Sequence, residues 1–154
     1  EIYTMEDEVA EVGRSCVHPD YRNGSVISFL WSGISEYMKF YKIRYLMGCG
    51  SVHSTDPNFA SEIYVWMKNK NAICSDNFKI SPRESHILHG FNPNYSFEDD
   101  GNIYKKIPPL IKGYIRLGAK IGREPALDRI FGTTDYFVLF DYNEINKKYG
   151  SHYG

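Results

Sequence analysis

Apolar and polar residues alternate over residues 8–17, which predicts a β-strand. Gly13 inside this run indicates a bulge or a close backbone approach. Over residues 25–41 the apolar side chains recur every three or four positions instead, which predicts an amphipathic helix. Its apolar positions are Val26, Leu30, Ile34, Tyr37 or Met38, and Tyr41. Residues 44–49 form a short apolar run, which is typical of a buried strand.

A strand, a helix and a second strand joined by short links make a βαβ unit. Such a unit implies parallel strand pairing and a right-handed crossover. After the second strand, Asp56 and Pro57 are the residue types that cap and begin a helix. Its predicted apolar stripe comprises Ala60, Ile63, Tyr64 and Met67. The first 70 residues therefore favour an α/β architecture.

The second half of the chain is less regular. We expect a short helix near residues 82–89 and a longer one from Pro108-Pro109 to about Lys120. The run over residues 134–141 is strongly β-prone and predicts the last strand. A chain of 154 residues is enough for one domain with a substantial core.

Composition narrows the functional classes. The net charge of −1 argues against electrostatic nucleic-acid binding by the whole molecule, and the 16% aromatic content argues against disorder. Cys16, Cys49 and Cys74 lie in apolar or strand-like contexts, so we expect reduced, buried thiols in a cytoplasmic protein. The cysteines and histidines lack paired ligand spacing, so no metal is expected.

The junction of the first strand and helix is the strongest candidate site. The extended segment reaches His18, the chain turns at Arg22-Asn23-Gly24, and the helix follows. Unpaired amides and the positive end of the helix dipole beside an arginine suit a phosphate group. The candidate donor-binding residues are Val17, His18, Arg22, Asn23, Gly24, Ser25 and Val26. The alternative is an ordinary junction with a solvated arginine.

Glu11 and Arg14 on the first strand form a second candidate pair. Residues three apart on a strand project to opposite faces unless Gly13 makes a bulge. A carboxylate here could accept the proton of an attacking amine. The alternative is a structural ion pair near the edge of the sheet.

Polar residues near the strand ends form a third candidate group. Ser51 and Asp56 flank a loop at the carboxyl end of the second strand, where ligands bind in open α/β sheets. Both could hold a substrate amine, although Asp56 is also the predicted helix cap. Asp135 begins the last strand and could face the acceptor or simply complete the fold.

The fourth candidate feature is a segment rich in basic residues. Residues 101–123 contain six Lys or Arg and no acid. Lys112, Arg116 and Lys120 stand four apart and predict a basic stripe on one helix. Such a helix can dock an acidic carrier protein or an anionic membrane surface. A solvated helix face is the alternative.

Residues 11–25 resemble the GNAT superfamily of acyltransferases. The closer resemblance is to the branch with the N-acyltransferases of ornithine-lipid synthesis, the N-acyl amino acid synthases and "haemolysin-like" proteins. The Gly-x-Glu-Pro-Ala run at residues 122–126, between a basic helix and a strand, strengthens this resemblance. Glu11 and Arg14 are also similar to a Glu-x-x-Arg pair of the acyl-homoserine-lactone synthases.

The resemblance implies a GNAT-like α/β domain with a mixed, twisted sheet flanked by helices. It implies one domain over residues 1–154, which we expect to be the C-terminal part of a longer domain lacking its first elements. The implied reaction moves an acyl group, expected to be a long fatty chain, to the primary amine of an amino acid such as ornithine. The implied donor is an acyl carrier protein or CoA thioester, without a metal, and the implied location is cytoplasmic or peripheral to the inner membrane face.

The resemblance also assigns roles to residues. Glu11 is the candidate base or amine holder, Arg14 organises the acceptor pocket, and a strand N–H near Val17 or His18 faces the developing oxyanion. The turn at residues 22–26 lacks the second glycine of the superfamily pattern, which fits a donor on a carrier protein. Two rivals are a small-group acetyl-CoA-dependent N-acetyltransferase and a non-catalytic membrane- or carrier-docking protein.

Overall fold

The computed structural model describes residues 8–14, 16–22, 24–98 and 101–144. Two single 3₁₀ turns occur at Pro19–Tyr21 and Glu84–His86. The helices and strands, in chain order, are β1 (Val9–Glu11), α1 (Gly24–Tyr41), β2 (Tyr45–Val52), α2 (Pro57–Asn69), α3 (Asn102–Lys106), α4 (Pro109–Leu117), β3 (Lys120–Ile121), β4 (Ala126–Asp128) and β5 (Thr133–Asp141).

The strands form one open, mixed sheet in the order β1-β2-β5-β3, and β4 also pairs with β5. β1 and β2 are parallel, as the βαβ pattern predicts, whereas β2 and β5 are antiparallel along their whole length. β3 and β4 follow one another along the other edge of β5. The predicted α/β class with a mixed sheet flanked by helices is confirmed.

The helices bury one face of this sheet. Side chains of α1, α2 and α4 pack there on Leu46, Val52, Tyr136, Val138 and Phe140. On the opposite face, Tyr45 and Leu139 contact a smaller cluster from the segment after α2. Farther along that face, Cys49 and Ser51 are exposed. One end of the second face is therefore accessible to a ligand.

α2 forms as the sequence predicts. The Asn58 amide donates to Asp56 Oδ1 at 2.9 Å, and Pro57 is the first helical residue. The apolar stripe is fully buried, comprising Ala60, Ile63, Tyr64 and Met67. Tyr136 of β5 donates its hydroxyl hydrogen to the Ala60 carbonyl at 2.7 Å, which ties the helix to the sheet.

α1 lies where predicted, but its inward face differs. Trp31, Ile34 and Met38 pack on the sheet. Of the predicted alternatives Tyr37 and Met38, Met38 is the buried one. Leu30 and Tyr41 are exposed, so the prediction was wrong at these two positions. The helix is apolar around much of its circumference, and spacing alone therefore does not identify the packed side.

Element ends also differ from the prediction. The first strand ends at Glu11 rather than near residue 17, and Arg14 adopts a left-handed conformation with φ of 54°. α4 ends at Leu117 because Gly118, with φ of 97°, forms its C-cap. The helix predicted near residues 82–89 is only the turn at Glu84–His86.

Candidate functional site

The parallel strands β1 and β2 separate within the sheet. Val9–Glu11 pair with Tyr45–Met47, and a final hydrogen bond runs from the Val12 amide to the Met47 carbonyl at 2.8 Å. β2 then continues to Val52, and within the described part of the chain its neighbouring strand there is β5. A wedge between the two chains opens beyond this point.

Gly48 allows β2 to pass close to the backbone of Val12, at the point where β1 separates from β2. A Cβ atom at this position would lie 2.8 Å from the Val12 carbonyl oxygen, so any other residue would collide with backbone. The Met47 carbonyl points toward β1, and backbone groups on one side of a strand repeat every second residue. The backbone groups of Cys49 and Ser51 therefore point into the wedge.

Two predicted acidic residues lie on the accessible face of the sheet. Glu11 is the in-register partner of Met47, and Asp135 is the cross-strand partner of Ser51. Directly paired residues project to the same face, and this face also carries Cys49. Glu11, Ser51 and Asp135 therefore lie on one face of the sheet, with Ser51 and Asp135 directly paired and Glu11 beside Met47, four residues earlier along β2. Ser51 lies within β2, which corrects its predicted position in a loop.

The thiol of Cys49 responds to both carboxylates. Partial burial, followed by the negative charges of Asp135 and then Glu11, raises the pKa of Cys49. Thr133 donates its hydroxyl hydrogen to Asp135 Oδ1 at 2.9 Å, which orients that carboxylate. This electrostatic environment favours a cation, such as the ammonium group of a substrate.

The three cysteines differ in exposure. Cys74 is buried, and that burial raises the pKa of its thiol to about 11. Cys16 and Cys49 are exposed, so the prediction of buried thiols was wrong for these two residues. Cys16 lies beyond the end of β1, and Cys49 lies on the uncovered part of the sheet. All three are free thiols.

Glu11 and Arg14 do not act as a structural pair. A Cβ atom on Gly13 would lie 3.1 Å from Glu11 Oε1, so the glycine accommodates the Glu11 carboxylate as the chain leaves the strand. Among the ion pairs of the described residues, none joins Glu11 to Arg14. Both residues are exposed, and Arg14 lies beyond the strand.

The connector is the segment between β1 and α1, of which residues 16–22 carry part of the candidate donor site. Two of its side chains form hydrogen bonds to its own backbone. His18 Nδ1 accepts a hydrogen bond from the Asp20 amide at 3.4 Å, and Arg22 Nε donates to the Val17 carbonyl at 2.9 Å. The amides of Val17 and His18 make no hydrogen bond to any other described residue.

The remaining junction residues are described only in part. Asn23 lies outside the described residues. Gly24 and Ser25 form the first turn of α1, and the Ser25 side chain is not described. Val26 is half-buried in the same turn. The predicted junction therefore exists as a connector leading directly into a helix.

A small cavity lies behind the wedge, between the helices and the sheet. Its volume is about 20 Å³, close to the space of one water molecule. Its lining comprises Val12, Trp31, Leu46, Met47, Gly48, Cys49, Tyr114, Val138 and Phe140. The sequence analysis did not identify this site, because its lining comes from separate elements with no shared motif.

Three aromatic rings close this cavity. The Phe140 ring lies with its centroid 5.3 Å from that of Trp31 and 5.5 Å from that of Tyr114. Trp31 and Tyr114 contact each other edge to face at 6.0 Å. Rings from α1, α4 and β5 thus line this cavity together.

The other predicted substrate ligand, Asp56, has a structural contact. Its carboxylate caps α2, as described above, and its amide donates to Ser54 Oγ at 3.1 Å. This geometry favours the capping interpretation over substrate binding.

The predicted basic stripe is distributed over two elements. Lys112 and Arg116 lie on α4, but Lys120 lies on β3, which corrects the prediction of one helical stripe. Lys112 Nζ donates to the Tyr104 carbonyl at 3.2 Å, and an Arg116 amino group donates to the Tyr104 hydroxyl at 2.7 Å. Lys120 Nζ donates to the Asn71 carbonyl at 2.6 Å. The cations thus also stabilise the fold.

The described residues provide neither a metal centre nor a helix that spans a membrane. They contain no group of three or more His, Cys, Asp or Glu side chains placed to hold a metal ion. In the same part of the chain, no helix has both the length and the apolar character needed to cross a membrane.

The open mixed sheet with its βαβ unit agrees with the predicted GNAT-like fold. The family model described as Acetyltransferase (GNAT) domain matches residues 1–32, which include β1 and the connector. The predicted resemblance to the GNAT superfamily and to its ornithine-lipid branch is confirmed by this match and by curated relatives.

The curated relatives are named L-ornithine N(alpha)-acyltransferase. The protein of Brucella abortus (strain 2308) is 33% identical over 146 residues, which cover 94% of this chain and 51% of that protein. The one of Rhodobacter capsulatus is 31% identical over 143 residues, covering 93% of this chain and 54% of the relative. The protein of Rhizobium meliloti (strain 1021) is 32% identical over 145 residues, which cover 94% of this chain and 48% of that protein.

The chain spans about half the length of the curated relatives it matches. No solved structure is significantly similar to it.

Proposed function

We propose that the protein is an N-acyltransferase that moves an acyl group from a thioester to the primary amine of an amino acid such as ornithine. The observation that carries this proposal is the wedge between β1 and β2. The backbone groups of Cys49 and Ser51 lie on the side of β2 that β1 leaves, and Glu11 is the last residue of β1. The names of the relatives support ornithine as the acceptor.

The wedge suits a phosphopantetheine arm as the donor. That arm carries secondary amides, which can pair with the backbone of β2 as an added strand would. Its phosphate would lie toward the connector and the first turn of α1, near Arg22. The thioester oxygen would then approach the amides of Val17 and His18, which can stabilise the oxyanion.

The chemical step needs one base and two aligned reactants. Glu11 accepts a proton from the substrate ammonium, directly or through water, and the free amine attacks the thioester carbonyl. The new C–N bond forms, the C–S bond breaks, and the thiolate leaves and takes up a proton. Cys16 and Cys49 take no part, because no covalent enzyme intermediate is required.

The acceptor would lie on the accessible face between the two acidic residues. A diamino acid such as ornithine carries a second ammonium group, and Asp135, oriented by Thr133, is placed to pair with it. Ser51, directly opposite Asp135, adds a hydroxyl group for the same substrate. Arg14 is exposed beyond the strand and can pair with the substrate carboxylate.

The donor is proposed to be an acyl carrier protein, whose acidic surface would meet the cations at Lys112, Arg116 and Lys120. A second candidate is transfer of a small acyl group from acetyl-CoA. The water-sized cavity closed by aromatic rings favours this second candidate, since a fatty acyl chain needs a longer channel.

The decisive assay offers the protein a panel of acyl carrier protein and CoA thioesters, from acetyl to long-chain, with ornithine and other amino acids. Mass analysis would identify the products, and released thiol would give the rate. We expect N-acyl ornithine, and the preferred chain length distinguishes the two candidates. Absence of product and thiol with every pair would refute the transferase and favour a docking protein.

The base is tested by Glu11→Gln. If Glu11 accepts the proton, kcat falls by about two to four powers of ten while the fold is unchanged. Glu84→Gln, an exposed acid on the turn at Glu84–His86, is the matched control. Near wild-type turnover in Glu11→Gln would remove this residue from the role.

A further inference from the structure

The turn between β4 and β5 projects two large apolar side chains into solvent. Ile130 is 91% exposed and Phe131 is 78% exposed. Gly132, with φ of 64°, completes the turn before β5 begins at Thr133. Residues 129–132 form the tip of this hairpin, the hairpin tip.

The hairpin tip is an ordered structure. Asp128 Oδ1 accepts hydrogen bonds from the Ile130 amide at 2.8 Å and the Phe131 amide at 2.9 Å. An Arg129 amino group donates to the Ser85 carbonyl at 2.6 Å, which fixes the tip to the preceding turn. Hydrogen bonds therefore hold outward two side chains that lie outside the core formed by the described residues.

Other exposed aromatic residues lie at the same end of the molecule. Val52, the last residue of β2, pairs with Thr134, so the tip lies beyond the carboxyl end of β2. Tyr21 in the connector is 60% exposed, and Phe29 in the second turn of α1 is 76% exposed. Both follow the carboxyl end of the parallel strand β1, which places them toward the same end.

We infer that the hairpin tip inserts into the surface of a lipid bilayer. A stable protein interface buries roughly 1,200–2,000 Å². Two side chains on a convex turn supply only a few hundred Å². A fluid bilayer needs no complementary groove, and large apolar and aromatic side chains partition into its interface. Arg129, next to them, can meet lipid phosphate groups.

This orientation would bring the accessible face of the sheet close to the headgroups. Thr133 and Asp135 follow the tip directly along β5. Under the proposed function, an N-acyl product would leave its site next to the bilayer that dissolves its chain. The inference itself rests on the hairpin and does not depend on the identity of the substrates.

The test is co-sedimentation of the protein with vesicles of phosphatidylethanolamine and phosphatidylglycerol. We expect wild-type binding, and binding at least about tenfold weaker for the double variant Ile130→Ser with Phe131→Ser, because the buried apolar area is lost. Phe40→Ser is the matched control, since Phe40 is 79% exposed but lies near the opposite end of α1. Circular dichroism would verify that the variants are folded.

Three outcomes would overturn the inference. These are no vesicle binding by the wild type, equal binding by the double variant, and an equal loss in Phe40→Ser. A dimer in gel filtration that becomes a monomer in the double variant would instead assign the tip to self-association.

Acyl transfer from a water-soluble short-chain thioester should be unchanged in the double variant. A failure of vesicle binding thus leaves the transferase proposal standing, and inactivity with every donor leaves the membrane inference standing.

Discussion

At the scale of single residues, Cys49 reports on the candidate acceptor site. Its thiol lies on the accessible face, and the charges of Asp135 and Glu11 add to the effect of burial on its pKa. The carboxylates of Asp135 and Glu11 belong to separate strands, yet both are close enough to Cys49 to raise the pKa of its thiol. A cationic substrate bound between them would oppose their effect on the thiol.

Asp135→Asn should make Cys49 more reactive. Removing the negative charge lowers the raised pKa of the thiol, so the thiolate fraction at pH 8 increases by about two- to tenfold. The rate of iodoacetamide labelling, measured by mass spectrometry of the Cys49 peptide, would show the increase. Glu84→Gln should leave that rate unchanged. An unchanged rate in Asp135→Asn would separate Asp135 from the site.

The sequence predicted the acidic residues but not the exposure of the thiol. Glu11 was chosen as an acid within the run over residues 8–17 and Asp135 as an acid at the start of the last strand, and their roles in the site stay predictions. Cys49 lies in a strand that reads as buried, and its exposure depends on whether other segments cover that face of the sheet. Whether a distant segment packs on this face depends on the tertiary structure, and the local pattern of apolar and polar residues does not reveal it.

At the scale of elements, the early end of β1 creates the wedge. Gly48 allows β2 to pass close to Val12, after which β1 leaves the sheet. The end of β1 therefore depends on a glycine of the neighbouring strand, so residues 8–17 alone do not predict where the strand ends.

Gly48→Ala and Gly33→Ala should have opposite effects on stability. At Gly48 the new Cβ collides with the Val12 carbonyl, so we expect a loss of about 1–3 kcal/mol. At Gly33, inside α1, a Cβ meets no atom within 4 Å, and alanine should stabilise the helix by about 0.5–1 kcal/mol. Urea unfolding would measure both values. Equal stability of the two variants would contradict the proposed close approach.

The long elements were predictable, and the short ones were not. α1, α2, β2 and β5 are each long enough for a periodic pattern or a β-prone run to identify them. β3 has two residues and depends on contacts from elsewhere in the chain. The Ile121 amide donates to the Ala72 carbonyl at 2.7 Å, and the Cys74 amide donates to the Ile121 carbonyl at 2.8 Å.

At the scale of the whole molecule, charge is unevenly distributed despite the net value of −1. Cations gather around Tyr104, where Lys112 and Arg116 both donate hydrogen bonds. Tyr104 itself is exposed. This surface can hold its cations in place while still presenting them to an acidic partner.

Arg116→Glu should weaken the use of a donor on a carrier protein. Reversing the charge should raise KM for that donor by about tenfold, while KM for the matching CoA thioester stays the same. Tyr104→Phe is the control, because it removes the hydrogen bond to Arg116 but keeps the charge. Steady-state kinetics with both donors would decide. Equal changes for the two donors would argue against docking at this surface.

The uncovered edge of β2 has one more consequence. Main-chain groups left without a neighbouring strand can join those of another molecule, so an empty wedge is a place where two copies could adhere through their backbones. A donor arm seated there would occupy these groups. If the proposed donor binds there, solutions of the protein should stay clear longer when the donor is present.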